Sequence, residues 1–109
     1  MTALDIGWLS GVLEGDGWFG SYQPDRVRHS TRPVVRLTMA DRDVVERFAR
    51  LVGVSCSGPF SVRKDNHRPM HSAAVSGSRA VGVMMTVYSL MGERRKARIK
   101  ELITQWRNK

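Results

Sequence analysis

Two acids, Glu14 and Asp16, close a stretch in which small residues recur every four positions: Ala3, Gly7, Gly11 and Gly15. At helical spacing these four lie on one face, a stripe almost without side chains. Each interior glycine costs a helix about 1 kcal/mol, so three in one helix need a reason. Close approach of a second helix supplies it. Leu4, Trp8, Leu9, Val12 and Leu13 form the other side, which can face a core. Gly17 then stops the helix. The two acids therefore stand at a helix C-terminus, whose unpaired carbonyls make a negative end. A carboxylate there is unfavourable unless a cation offsets it, so position alone points to a metal site.

Other combinations carry less chemistry. Asn66, His67 and His71 hold the residue types of an HNH-type nuclease, but Pro69 interrupts the spacing and no paired cysteines flank them. A zinc site from Cys56, His67 and His71 lacks a fourth ligand. Neither a Ser/His/Asp set nor a phosphate-cradling glycine loop stands out.

The elements that must carry the acids follow in order. Trp18 to Gln23 reads as a strand, and Pro24-Asp25 opens a turn into the polar, basic run 26–31. Arg32 to Met39 reads as a second strand. Val35, Leu37 and Met39 share one face; Arg32, Val34, Arg36 and Thr38 share the other. Asp41 caps a core helix carrying Val44, Val45, Phe48, Leu51 and Val52, which Gly53 ends. Residues 54–63 read as a third strand, 64–69 as a basic hairpin tip, and Met70 to Ser76 as a fourth strand with Ala73 and Val75 inward. A helix lined by Val81, Met84, Met85, Val87, Tyr88 and Met91 runs from Gly77-Ser78 to Gly92. A last helix, about Glu93 to Arg107, buries Ile99, Leu102, Ile103 and Trp106.

At 109 residues the chain reads as a single domain, 1–109, with one modest core. Its net charge of +8 is uneven. Residues 1–55 balance seven arginines against seven acids, whereas 92–109 hold seven basic residues and two acids. Such an excess suits a polyanion, most often nucleic acid. The lone cysteine, Cys56, excludes an internal disulfide and fits an intracellular, reducing compartment, cytoplasmic or organellar. The sequence shows neither a membrane-length apolar run nor a signal peptide.

Leu9 to Gly17, LSGVLEGDG, resembles the signature of the LAGLIDADG homing endonucleases. Leu9, Gly11, Asp16 and Gly17 match it outright, Ser10 stands for a small alanine, Val12 and Leu13 keep the apolar pair, and Glu14 keeps an acid. The order of elements fits over nearly the whole chain. The resemblance implies an α+β fold, the LAGLIDADG half-domain α-β-β-α-β-β-α-α with a saddle-shaped antiparallel sheet. It implies a homodimer through the glycine-striped first helix, with Gly7, Ser10, Gly11 and Glu14 at the interface. It implies a site-specific double-stranded DNA endonuclease, of the kind that mobilises introns or inteins.

By the same resemblance, Asp16 is the catalytic metal ligand, with the Gly15 carbonyl as a second. Mg²⁺ is the implied ion, or another divalent cation such as Mn²⁺. Arg94 or Arg95 would supply the basic catalytic residue. DNA contacts would come from Arg26, Arg28, Arg32, Arg36, Thr38, Arg63, Lys64 and Arg68. One departure is the stretch Thr38-Met39-Ala40-Asp41, which has no Gln or Lys where family enzymes often place a polar residue. It keeps two other readings open: a DNA-binding regulator or RNA-splicing maturase on this fold without cleavage, and a small interaction module with a solvated basic tail.

Overall fold

Thr2 and Asp5 start the first helix reciprocally. The Asp5 N–H donates to the Thr2 hydroxyl at 3.1 Å, and the Thr2 N–H donates to the Asp5 carboxylate at 2.9 Å. These bonds, the backbone one foremost, hold the Asp5 carboxyl below its ordinary pKa. In this computed structural model, which describes residues 1–23, 31–61 and 68–108, the helix α1 spans Ala3–Asp16. It passes directly into the strand β1, Gly17–Tyr22. Gly17 is extended (φ −75°, ψ 160°), so no left-handed turn ends the helix. Glycine is required by space instead: a Cβ there would meet the Leu13 backbone at 2.7 Å.

The remaining elements are β2 (Arg32–Met39), α2 (Arg42–Val52), β3 (Ser57–Phe60), β4 (Met70–Ser76), α3 (Ser78–Val87), a 3₁₀ turn at Tyr88–Leu90, and α4 (Glu93–Arg107). This is the expected α+β order. The sheet is antiparallel throughout, in the order β1-β2-β4-β3. Phe19 pairs with Val35, and Leu37 with Ala73. These four side chains share one face and join Leu9, Leu13, Phe48, Met84, Ile99 and Leu102 in the core. The helices cover that face and leave the other open.

Two expectations need correcting, at Leu4 and Met85. Leu4 is 84% exposed, because it lies beside the open glycine face rather than over the sheet. Met85 is 66% exposed; the buried stripe of α3 is Ala80, Val83, Met84 and Val87, the i, i+3, i+4, i+7 face. Val34, on the face that carries Arg36, is buried. Its partner across the strands is Gly20, and a Cβ at Gly20 would run into the Trp18 ring, which is folded across it. Of the strand expected over 54–63, residues 62 and 63 lie outside the described residues; among the described ones Ser57–Phe60 pairs, the ladder to β4 shifts register between Ser57 and Phe60, and Gly58 adopts φ +121°.

Candidate functional site

α1 carries its three glycines outward. Gly7, Gly11 and Gly15 are exposed, and a Cβ built on any of them meets nothing within 4 Å. The side-chain-poor stripe is therefore unoccupied among the described residues. Ser10 does not belong to it. Its side chain is 4% exposed, turned into the protein's own interior, with a hydroxyl that makes no hydrogen bond among the described residues. Ser10, expected at the interface, is thus buried within its own chain.

At the end of the stripe Asp16 is exposed. It lines an open cleft of 360 Å³ together with Thr38, Met39, Ala40, Asp41, Arg68 and Met70. Asp41 holds the N-cap position of α2, but its side chain makes no capping bond. Its carbonyl accepts from the Val44 and Val45 N–H groups. The Thr38 hydroxyl is bonded to Ser72 across the strands at 2.9 Å. Two sequence-distant acids, a hydroxyl and an arginine thus meet in one cleft, and the sequence had named three of the four.

The basic residues of α4 are used differently from the expectation. Arg95 is 12% exposed on its side chain. It donates to the Gly17 carbonyl at 2.7 Å and to the Glu14 carbonyl at 3.2 Å. Its guanidinium lies 5.6 Å from the Phe19 ring centre and its Nε 3.7 Å from Glu14 Oε2. One turn on, Arg98 donates to the Phe19 carbonyl at 3.3 Å and pairs with Glu101. Gly17 and Phe19 lie on the outer strand, so α4 closes the free edge of β1 with two arginines. Lys96 lies 5.7 Å from the Tyr88 ring. Of the two arginines expected to supply the basic catalytic residue, Arg95 is thus bound to backbone carbonyls and Arg94 is exposed. The Glu14 carboxylate accepts from the Gly92 N–H, so it faces α4 in its own chain.

The open sheet face carries Trp18 and Tyr22 from β1, Arg32, Arg36 and Thr38 from β2, and Met70, Ser72, Ala74 and Ser76 from β4. Arg36 lies 4.8 Å from the Trp18 ring centre, and no carboxylate pairs with it among the described residues. Arg47 sits on the opposite side, 4.2 Å from the Trp8 ring centre. Arg26, Arg28, Arg63 and Lys64, like Asn66 and His67 of the rival nuclease reading, lie outside the described residues. His71 is buried on the core side of β4. Among the described residues no group of three His, Cys, Asp or Glu side chains could hold a metal, and no helix is long and apolar enough to cross a membrane.

No family model and no curated protein sequence matches the chain. Solved structures do. The homing endonuclease I-CvuI, in complex with its target in the presence of Ca, superposes with a TM-score of 0.65 at 15% identity, over 89% of this chain and 62% of that one. The group I intron-encoded homing endonuclease I-CeuI, complexed with DNA, gives 0.65 at 10% identity, over 94% and 54%. The LAGLIDADG homing endonuclease I-SmaMI, bound to cleaved DNA, gives 0.58 at 19% identity, over 86% and 33%. The chain thus spans less than two thirds of each of these proteins. On these superpositions the chain has the LAGLIDADG homing-endonuclease fold.

Proposed function

We propose that the protein is a site-specific double-stranded DNA endonuclease that acts as a homodimer with a divalent metal ion. The observation that carries this reading is the exposed Asp16 carboxylate at the end of a helix whose small-residue face is open. Packing that face against its copy would bring two Asp16 side chains to one two-fold axis, opposite two strands of a duplex. A single protomer offers one exposed carboxylate and the neighbouring Gly15 carbonyl, a donor set of the kind Mg²⁺ accepts while it keeps several waters. The bound ion would acidify a water and neutralise charge on the attacking and leaving oxygens. Asp16 would hold it. Arg68, across the same cleft, would face the phosphate, and Arg32 and Arg36 on the open sheet would grip the duplex. The nicking of supercoiled plasmid carrying the target, in Mg²⁺ against EDTA, tests this directly. Equal nicking in both buffers would overturn the metal dependence, and none in either would overturn the enzyme.

One observation favours binding without cleavage, as in a regulator or maturase. Arg95, the more buried of the two cations expected to serve catalysis, is committed to backbone carbonyls. Duplex binding with no cleavage in Mg²⁺ or Mn²⁺ would select that reading.

The sheet face makes its own prediction. Arg32→Ala and Arg36→Ala should weaken duplex binding, each lowering the log–log salt slope by about one if it contacts phosphate. Arg36 should instead cost about 1–3 kcal/mol at one position of the site if it reads a base. Arg47→Ala should leave DNA affinity near wild type, since Arg47 is stacked on Trp8 behind the sheet. Fluorescence anisotropy over a salt series checks all three. Equal losses would count against the open sheet as the binding face.

A further inference from the structure

We infer that Glu14 and Arg95 form a two-way clamp that fixes the α1–β1 junction and so sets the position of Asp16, which makes both of them positioning residues for the proposed cleavage. The inference rests on the endonuclease reading. Its geometry does not.

Each residue satisfies the backbone of the other's helix. The Glu14 carboxylate, from the last turn of α1, accepts from the Gly92 N–H at the start of α4. Arg95, from the first turn of α4, donates to the Glu14 and Gly17 carbonyls at the end of α1. An anion thus meets the positive end of one helix and a cation the negative end of the other. The two carbonyls that Arg95 holds bracket Asp16 in the chain. Gly92 permits the close approach: a Cβ there would lie 3.2 Å from Glu14 Oε1. Arg95 is bonded to carbonyls, not to the Asp16 carboxylate, among the described residues. It acts on Asp16 through the main chain. A planar fork is suited to two carbonyls at once, which a lysine cannot bridge in the same way.

The consequence falls on rate more than on affinity. A ligand displaced by about 1 Å can cost about 100-fold in rate, because reacting groups must meet in one geometry. The DNA-binding sheet face is elsewhere. The test measures single-turnover cleavage at saturating enzyme and Mg²⁺, on a duplex recovered by selection from a random pool, with affinity for that duplex measured in EDTA. Arg95→Met should lower the rate roughly 10- to 100-fold and leave affinity close to wild type. Arg95→Lys should recover part of the rate. Glu14→Gln should lower it less, since the amide oxygen still accepts from Gly92. The double variant Glu14→Gln/Arg95→Met should be no slower than Arg95→Met, because both act through one junction. A folded Arg95→Met or Glu14→Gln protein with wild-type rate, or losses that multiply in the double variant, would overturn the clamp.

Hydrogen exchange separates this from a failure of the endonuclease reading. If the wild type cleaves no DNA, that reading falls, and the clamp is still judged by the amides of residues 15–17. They should exchange roughly 10-fold faster in Arg95→Met while those of α2 keep their protection. Unchanged exchange at the junction would overturn the clamp whatever the enzyme does.

Discussion

Asp16→Asn should bind target duplex as the wild type does, cleave neither strand, and melt at a higher temperature in EDTA. The loss of cleavage follows from ligand chemistry, since a neutral amide is a poor partner for Mg²⁺ and Asp16 is the exposed carboxylate that ends the glycine-striped helix. The rise in stability needs the effects to be weighed. The negative end of α1 would by itself disfavour Asp16, but the Arg95 guanidinium already lies on the Glu14 and Gly17 carbonyls. Within one protomer the helix-end penalty is therefore largely met, and removing the charge should gain little. What remains is the repulsion between two Asp16 side chains across the axis of the proposed dimer. Two unit charges about 5 Å apart repel by roughly 3 kcal/mol at an effective dielectric near 20. For a domain of this size, 1 kcal/mol corresponds to about 4–8 °C in melting temperature. The gain should accordingly appear at protein concentrations where the dimer forms and shrink on dilution. Melts of both proteins in EDTA at two concentrations check it. A lower melting temperature for Asp16→Asn at both concentrations would make Asp16 a structural residue and remove the physical support for the metal site.

That prediction also shows what was legible in the sequence. The need for a cation at the end of α1 could be read from the position of two acids at a helix C-terminus. Which cation meets it could not. Arg95 and the Gly17 carbonyl are 78 residues apart, and no local pattern links them. The available signal was indirect: Arg95 and Arg98 stand three apart, so they share a face of α4, and an outer strand needs something to cover its carbonyls. Read as charge alone, the basic excess over 92–109 suggested a nucleic-acid contact. Strand parity fared better. It put Arg32, Arg36 and Thr38 on one face and Val35 and Leu37 on the other, because a two-residue period allows no other arrangement once one face is buried. It missed the burial of Val34, which depends on how Trp18 folds over its neighbour. In the helices, composition showed which stretches were apolar but not their phase. Met85 and Leu4 were expected inside and are exposed.

Gly11→Leu should convert the protein into a more stable monomer that no longer cuts both strands. The two parts of this expectation have opposite signs and come from different physics. Among the described residues nothing lies within 4 Å of a Cβ at Gly11, so leucine enters open space and strains none of them. Leucine also suits a helix interior better than glycine by close to 1 kcal/mol, so α1 itself should gain. A second copy of the helix would lose. Close approach along Gly7, Gly11 and Gly15 depends on bare backbone, and a branched side chain at the middle position holds the two helices apart. Dissociation would leave each Asp16 alone with one strand of the target. Sedimentation should give the mass of one chain at concentrations where the proposed wild-type dimer gives two. The melting temperature should become independent of protein concentration while the dilute-limit value rises. Gly53→Leu is the contrasting control. Gly53 ends α2 at φ +78°, so a side chain there should destabilise the fold at every concentration without changing the mass. A Gly11→Leu protein that sediments as an intact dimer would show that the open stripe of α1 is not the surface by which two copies meet, and the pairing of two Asp16 carboxylates on one axis would fall with it.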